Sequence, residues 1–108
     1  MGLDQYAFAT KGEKKIELMY WRKHANLQGW MEERYAAKGG TEVFNCISLK
    51  LDKCDLLKLE IEYSDLETAT GFFWGQSHPD HDEATFDFIS KAREYIKRGY
   101  VVEYECWW

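Results

Sequence analysis

The segment that most constrains the fold is the C-terminal one, residues 100–108, with the sequence YVVEYECWW. Apolar and polar side chains alternate along it, which is the pattern of a strand with one buried face. The residues predicted to point inward are Tyr100, Val102, Tyr104, Cys106 and Trp108. Because an unstructured tail has little reason to end in two large apolar rings, Trp107 and Trp108 predict that this end of the chain is packed.

Three earlier segments also have the pattern of strands. Residues 2–10 alternate between two unequal faces, and Gly12 marks a turn before a second extended run at 16–20, so the two runs can pair as a hairpin. In the second run we expect one shared face for Ile16, Leu18 and Tyr20. Residues 43–51 form the third strand, and its predicted inner face holds Val43, Asn45, Ile47, Leu49 and Leu51.

Helical periodicity accounts for most of the remaining chain. A first helix begins at about Lys23 and stops at Gly39 and Gly40. Its apolar stripe comprises Leu27, Trp30, Met31, Arg34 and Tyr35. Residues 53–64 fit an alternating strand as well as a broad helical face, and we predict a helix because Asp52 is a good N-cap. A third helix spans 82–98, with Asp82 as its predicted cap.

This order of elements predicts one α+β domain over residues 1–108. We expect a small mixed or antiparallel sheet of about four strands, with three helices packed mainly on one face. A chain of 108 residues with 45% hydrophobic residues has enough apolar content for one core.

Composition disfavours several functional classes. The net charge of −5 would repel a phosphate backbone, so general nucleic-acid binding is not expected, although cations gathered between Lys11 and Lys23 leave a local anion site open. No apolar run approaches the roughly 20 residues that cross a bilayer. Three cysteines without a signal peptide fit a reduced compartment, so we expect a cytoplasmic protein.

The first candidate site is the junction of the second strand and the first helix. Tyr20, Trp21, Arg22 and Lys23 follow one another there. A helix start has unpaired backbone N–H groups and a positive dipole end, so these groups and the two cations could converge on a phosphate while the rings stack on a planar ligand. The alternative is that Trp21 is core and the cations only solvate a surface.

Two further segments contribute candidate residues. In GFFWG, residues 71–75, Phe73 or Trp74 could close over a ring system between flexible glycines, or the segment could be a short buried strand. In HPDHD, residues 78–82, the metal-capable side chains match no recognised zinc spacing. They are His78, Asp80, His81 and Asp82. We therefore predict no metal and no cofactor, and assign polar ligand contacts to His78 and Asp82.

Several of these motifs together resemble a family of small uncharacterised bacteriophage proteins. They include the start MGLDQY, the YWRK junction at 20–23 and the GFFWG segment at 71–75. Gln5 and Trp74 depart from the usual residues without changing the physical type, and Trp107-Trp108 has no counterpart. The resemblance supports the helix at 53–64. It implies a phage accessory protein in the host cytoplasm, such as a counter-defence factor, and no settled activity.

The sequence therefore predicts a binding protein without catalysis, since it contains no G-x-S-x-G, H-E-x-x-H or phosphate-loop motif. We expect a small anionic, ring-bearing ligand such as a nucleotide-derived signal. The residues assigned to it are Tyr20, Trp21, Arg22, Lys23, Phe73, Trp74, His78 and Asp82. The alternatives are a protein–protein inhibitor of a host enzyme or defence protein, with a possible homodimer, and a small metal-dependent hydrolase.

Overall fold

The computed structural model describes residues 2–66, 77–78 and 81–108. The elements in these residues are β1 (Asp4–Lys11), β2 (Lys14–Arg22), α1 (Ala25–Ala37), β3 (Ser48–Leu51), α2 (Lys53–Glu62), a 3₁₀ turn (Tyr63–Asp65), α3 (His81–Lys97) and β4 (Val101–Trp107). The four strands form one antiparallel sheet in the order β2-β1-β4-β3. The α+β prediction is confirmed, and the sheet is antiparallel.

The C-terminal strand β4 lies inside the sheet, between β1 and β3. Val102, Tyr104 and Cys106 are buried on its inner face, where they meet Leu49 and Leu51 of β3 in the core. The predicted packing of this end of the chain is confirmed for the strand and for Trp108, which packs against the core, but Trp107 is 64% exposed.

A β-bulge in β2 overturns the predicted inner face of that strand. Ala7 pairs with Met19 and Phe8 with Glu17, so Leu18 is an extra residue without a partner in β1. One inserted residue reverses the alternation beyond it. Trp21 therefore points into the core, whereas Tyr20 lies on the opposite face and is 44% exposed.

The third strand is shorter than predicted. It covers Ser48–Leu51 instead of 43–51. Val43 is 70% exposed while Phe44 is buried, the reverse of the predicted faces. The backbone of Cys46 has a φ of 59°, which an extended strand does not allow. Residues 43–47, which precede β3, belong to a loop.

The helices pack against the inner face of the sheet. α1 begins at Ala25, two residues later than predicted. Asp52 caps α2 as predicted, through a capping box in which its side chain accepts from the backbone N–H of Asp55. Leu56 and Leu59 of α2 are buried in the core, whereas Leu57 and Ile61 are exposed.

The third helix packs one face in the core, as its helical periodicity predicts, but it starts earlier than predicted. Phe88, Ile89 and Ala92 are buried in the core. The helix begins at His81, so Asp82 lies in the first turn and is not its cap. In the described part of the chain, no helix combines the length and the apolar character needed to cross a membrane.

Candidate functional site

A pocket of about 400 Å³ opens where the starts of α1 and α3 meet the end of α2. Its lining includes His24, Tyr63, Ser77, His78, Asp82 and Phe86. His78 and Asp82 are residues that the sequence assigned to a ligand site. The other four come from positions that carried no functional prediction.

A chain of hydrogen bonds crosses the floor of this pocket. The hydroxyl of Tyr63 lies 2.9 Å from Asp82 Oδ1, and it donates there because a carboxylate only accepts. Tyr63 must then accept from His24 Nε2, at 2.8 Å. This fixes the tautomer of His24 with its proton on Nε2, so Nδ1 accepts from the Ser77 hydroxyl at 2.7 Å.

The backbone of His24 is held by a buried glutamine. Gln5 Oε1 accepts from the backbone N–H of His24 at 2.8 Å, and Gln5 Nε2 donates to the His24 carbonyl at 3.1 Å. The same Nε2 donates to the hydroxyl of Tyr104 in the core. Lys23, with a φ of 58°, turns the chain between β2 and α1. The imidazole is therefore positioned by the sheet itself.

Burial sets the protonation states of His24 and Tyr63 in this chain of hydrogen bonds. It lowers the pKa of His24 to about 3, and the neighbouring His81, whose ring stacks on it at 4.5 Å, adds to the fall. Burial also raises the pKa of Tyr63 to about 12, with a further rise from Asp82. At neutral pH the imidazole is therefore uncharged and the phenol keeps its proton.

Trp21 is sealed in the core and does not line the pocket. Its side chain is 2% exposed, and its ring meets Phe88 edge-on at 5.2 Å between centroids. Its Nε1 donates to Thr85 Oγ1, and Thr85 in turn donates to the backbone carbonyl of His81. The prediction that Trp21 stacks on a ligand is wrong, because the ring offers no surface; it anchors the start of α3 instead.

The other predicted residues of the junction do not meet at the pocket. Tyr20 and Arg22 pair with Tyr6 and Asp4 on the far face of the sheet. Tyr20 donates to Asp4 Oδ1 at 2.6 Å, and this hydrogen bond is the main cause that raises the pKa of Tyr20 to about 12. Lys23 is exposed at the turn. The predicted cluster is divided between two faces by the alternation of the strand.

Phe73, Trp74 and Asp80 lie outside the described residues. Within residues 2–66, 77–78 and 81–108, no three His, Cys, Asp or Glu side chains are grouped so as to hold a metal ion.

Comparison with known proteins gives no relative: no protein-family model, curated protein or solved structure matches the chain. The resemblance to phage proteins therefore stays a prediction.

Proposed function

We propose that the protein binds a small ring-bearing ligand, such as a nucleoside or a nucleotide-derived compound, in the pocket beside His24, and that it does so without catalysis. The observation that carries the proposal is a concave site of about 400 Å³ around a buried, neutral imidazole. Small-molecule sites typically measure about 300–1,000 Å³ and combine apolar walls with a few convergent polar groups.

The lining supports a ligand with a planar ring and a polar edge. Phe86 is 48% exposed and is held perpendicular to Tyr63, with 5.1 Å between ring centroids, so part of its surface is open to stacking. Asn26, Ser64 and Ser77 supply polar side chains to the same pocket. Together they match the amide and hydroxyl groups of a nucleoside.

The charges at the pocket favour a ligand of low negative charge. Two helix starts direct the positive ends of their dipoles toward the pocket, which favours a phosphate or another anion. The carboxylate of Asp82, in the first turn of α3, opposes this and accepts from hydroxyl or amino groups. Arg22 lies on the far face of the sheet, so it adds no positive charge to the pocket. A nucleoside or monoester therefore fits better than a polyphosphate.

A phage origin, which stays a prediction, agrees with the same class of ligand. Accessory proteins that counter host defence include ones that capture nucleotide signals, and we propose that this chain acts in such a setting. A nucleotide-derived signal of low charge satisfies both the context and the pocket.

Replacing Phe86 by alanine is expected to weaken binding of the best nucleoside or nucleotide about tenfold, because stacking of a base on an aromatic ring contributes about 1–3 kcal/mol. Isothermal titration calorimetry against a panel of nucleosides, monophosphates and dinucleotides measures this. The matched control is Ile61→Ala, which also removes an exposed apolar side chain but lies outside the pocket. Equal affinities for the two variants, or no binding of any compound in the panel, would refute the proposal.

One observation favours a second candidate function, acyl transfer at Ser77. The Ser77 hydroxyl donates to a neutral imidazole that is oriented in turn by Tyr63 and Asp82, which is the arrangement of an activated serine nucleophile. We rank it second because a base with a pKa of about 3 removes a serine proton weakly at neutral pH.

Under the acyl-transfer hypothesis a fluorophosphonate probe is expected to label Ser77 stoichiometrically, and mass spectrometry of the intact protein and its peptides identifies the site. The variant Ser77→Ala should remain unlabelled while keeping its circular dichroism spectrum. Absence of adduct on the unaltered protein would exclude this hypothesis.

A further inference from the structure

The face of the sheet that is turned away from the helices carries a group of aromatic side chains. We call it the outer face, and its rings are those of Tyr6, Phe8, Tyr20 and Trp107. Tyr6 lies 6.1 Å from Phe8 and 5.2 Å from Tyr20 between ring centroids, and Trp107 is 64% exposed. Tyr20 is also exposed, while Tyr6 and Phe8 are half-buried. Aromatic rings grouped on a solvent-facing surface are more typical of a contact surface than of an idle face.

Three carboxylates stand among these rings on the two central strands. Each carboxylate accepts a hydrogen bond from a side-chain hydroxyl on a neighbouring strand. Tyr20 donates to Asp4 at 2.6 Å, Thr10 to Glu103 at 3.3 Å, and Ser48 to Glu105 at 2.7 Å. A neutral donor fixes the direction of a carboxylate but leaves its charge in place. The middle of the outer face is therefore aromatic and negatively charged.

Positive charge on this face is confined to the edge strands. Residues 4–10 and 101–107, in the two central strands, contain no lysine or arginine. Lys15 and Arg22 lie on β2, and Lys50 lies on β3. A partner that covers the centre of the face thus meets acids and rings first.

One internal contact demonstrates which chemistry the outer face accepts. The ammonium group of Lys15 lies 4.1 Å from the ring centroid of Phe8 and 3.7 Å from Glu105 Oε1. The cation is thus shared between a ring face and a carboxylate. Tyr6, Trp107 and Glu103 provide further rings and a further carboxylate on the same face.

We propose that the outer face docks a lysine- or arginine-rich segment of a partner protein. The guanidinium or ammonium groups of that segment stack on the exposed rings and pair with Glu103, Glu105 and Asp4, as Lys15 does on Phe8 and Glu105. A single-stranded nucleic acid would stack on the same rings, but its phosphates would face three carboxylates. Complementary charge therefore favours a basic polypeptide over a nucleic acid. This surface is separate from the His24 pocket, so either proposal can fail without the other.

The test uses a fluorescently labelled hexa-arginine peptide, titrated at low and physiological salt by anisotropy. The double variant Glu103→Gln, Glu105→Gln is expected to bind at least tenfold more weakly than the unaltered protein. The control double variant Glu33→Gln, Glu42→Gln removes the same charge from exposed positions outside the sheet and is expected to change affinity less than twofold. Thermal unfolding followed by circular dichroism verifies that both variants fold.

A second variant isolates the contribution of the rings. Trp107→Ala leaves the net charge unchanged and is expected to weaken peptide binding about fivefold, with no loss of stability because the ring is exposed. Equal weakening by both double variants would mean attraction to the net charge alone and would overturn the proposal. Tighter binding of oligothymidine than of the peptide would overturn it too. A third result would also overturn the proposal: the peptide does not bind, and analytical ultracentrifugation shows a dimer that the Trp107→Ala variant abolishes.

Discussion

Replacing Trp21 by alanine is expected to lower the free energy of unfolding by about 3–5 kcal/mol, the usual range for removing a fully buried aromatic side chain. Trp21 is 2% exposed, meets Phe88 edge-on and donates to Thr85, so the substitution removes apolar contacts and leaves a buried hydroxyl without its donor. Because domains of this size have a total stability of about 5–15 kcal/mol, this loss is a large fraction of the total. Urea denaturation followed by far-ultraviolet circular dichroism measures the change.

Trp107→Ala is the matched control, since it deletes the same side chain at a position that is 64% exposed. Its expected effect on the free energy of unfolding is within about 0.5 kcal/mol. Trp21→Phe should fall between the two, because it keeps a ring against Phe88 but loses the hydrogen bond to Thr85. Equal urea midpoints for Trp21→Ala and Trp107→Ala would contradict the core position of Trp21.

Trp21 also illustrates where prediction from sequence stops. Alternation and helical spacing locate β1, β4 and α3 because each has one buried face with a regular period. The bulge at Leu18 has no signature in that pattern, yet it turns Tyr20 outward and Trp21 inward. A single unpaired residue thus decides which of two adjacent aromatic rings is available to a ligand.

The candidate pocket depends on contacts between distant parts of the chain. His24 meets Tyr63, 39 residues away, and Ser77, 53 residues away. Local periodicity carries no information about such pairs, since they arise when the ends of three helices converge. The signal for His24 in the sequence is a histidine between a predicted strand and a predicted helix. His78 and Asp82 are predictable because polar residues cluster before a helix start.

The YWRK segment, residues 20–23, does not form one site. Its residues serve three purposes: Tyr20 and Arg22 belong to the outer face, Trp21 to the core, and Lys23 to the turn that brings His24 to the pocket. A strand directs consecutive side chains to opposite faces, and β2 continues through Arg22, so Tyr20, Trp21 and Arg22 cannot converge on one site. The pocket and the outer face are two consequences of the same alternation.

The second large effect is expected at Asp55, a buried carboxylate that joins α1 to α2. Its side chain is 2% exposed, and its Oδ1 accepts from Arg34 Nη2 at 2.8 Å and from Arg34 Nε at 3.1 Å. Its Oδ2 accepts from Lys38 and from the backbone N–H of Asp52, at 2.9 Å for the latter. The carboxylate is therefore paired with two cations and also closes the capping box of α2.

Asp55→Asn is expected to lower the free energy of unfolding at pH 7 by about 3 kcal/mol, because it leaves Arg34 and Lys38 without their buried counter-charge and weakens the cap. Urea denaturation at pH 7 measures the loss. The control Asp65→Asn, at an exposed position in the 3₁₀ turn, should stay within about 0.5 kcal/mol of the unaltered protein. A loss at Asp55 no larger than that of the control would show that the ion pairs contribute nothing.

The dependence on pH distinguishes Asp55 from His24. Burial alone would raise the pKa of Asp55, but the hydrogen bonds from Lys38, Asp52 and Arg34 outweigh it and hold the pKa below the ordinary 3.8. The contribution of Asp55 to the free energy of unfolding is thus complete above about pH 3.8, and it is lost as pH falls through the lower pKa of the folded state. His24 acts earlier, since its pKa falls from 6.5 to about 3 on folding, so stability should already decline between those values. The decline in stability between pH 6.5 and pH 3 should persist in Asp55→Asn and disappear in His24→Gln. If Asp55→Asn removed that decline and His24→Gln kept it, the assignment of the decline to His24 would be refuted.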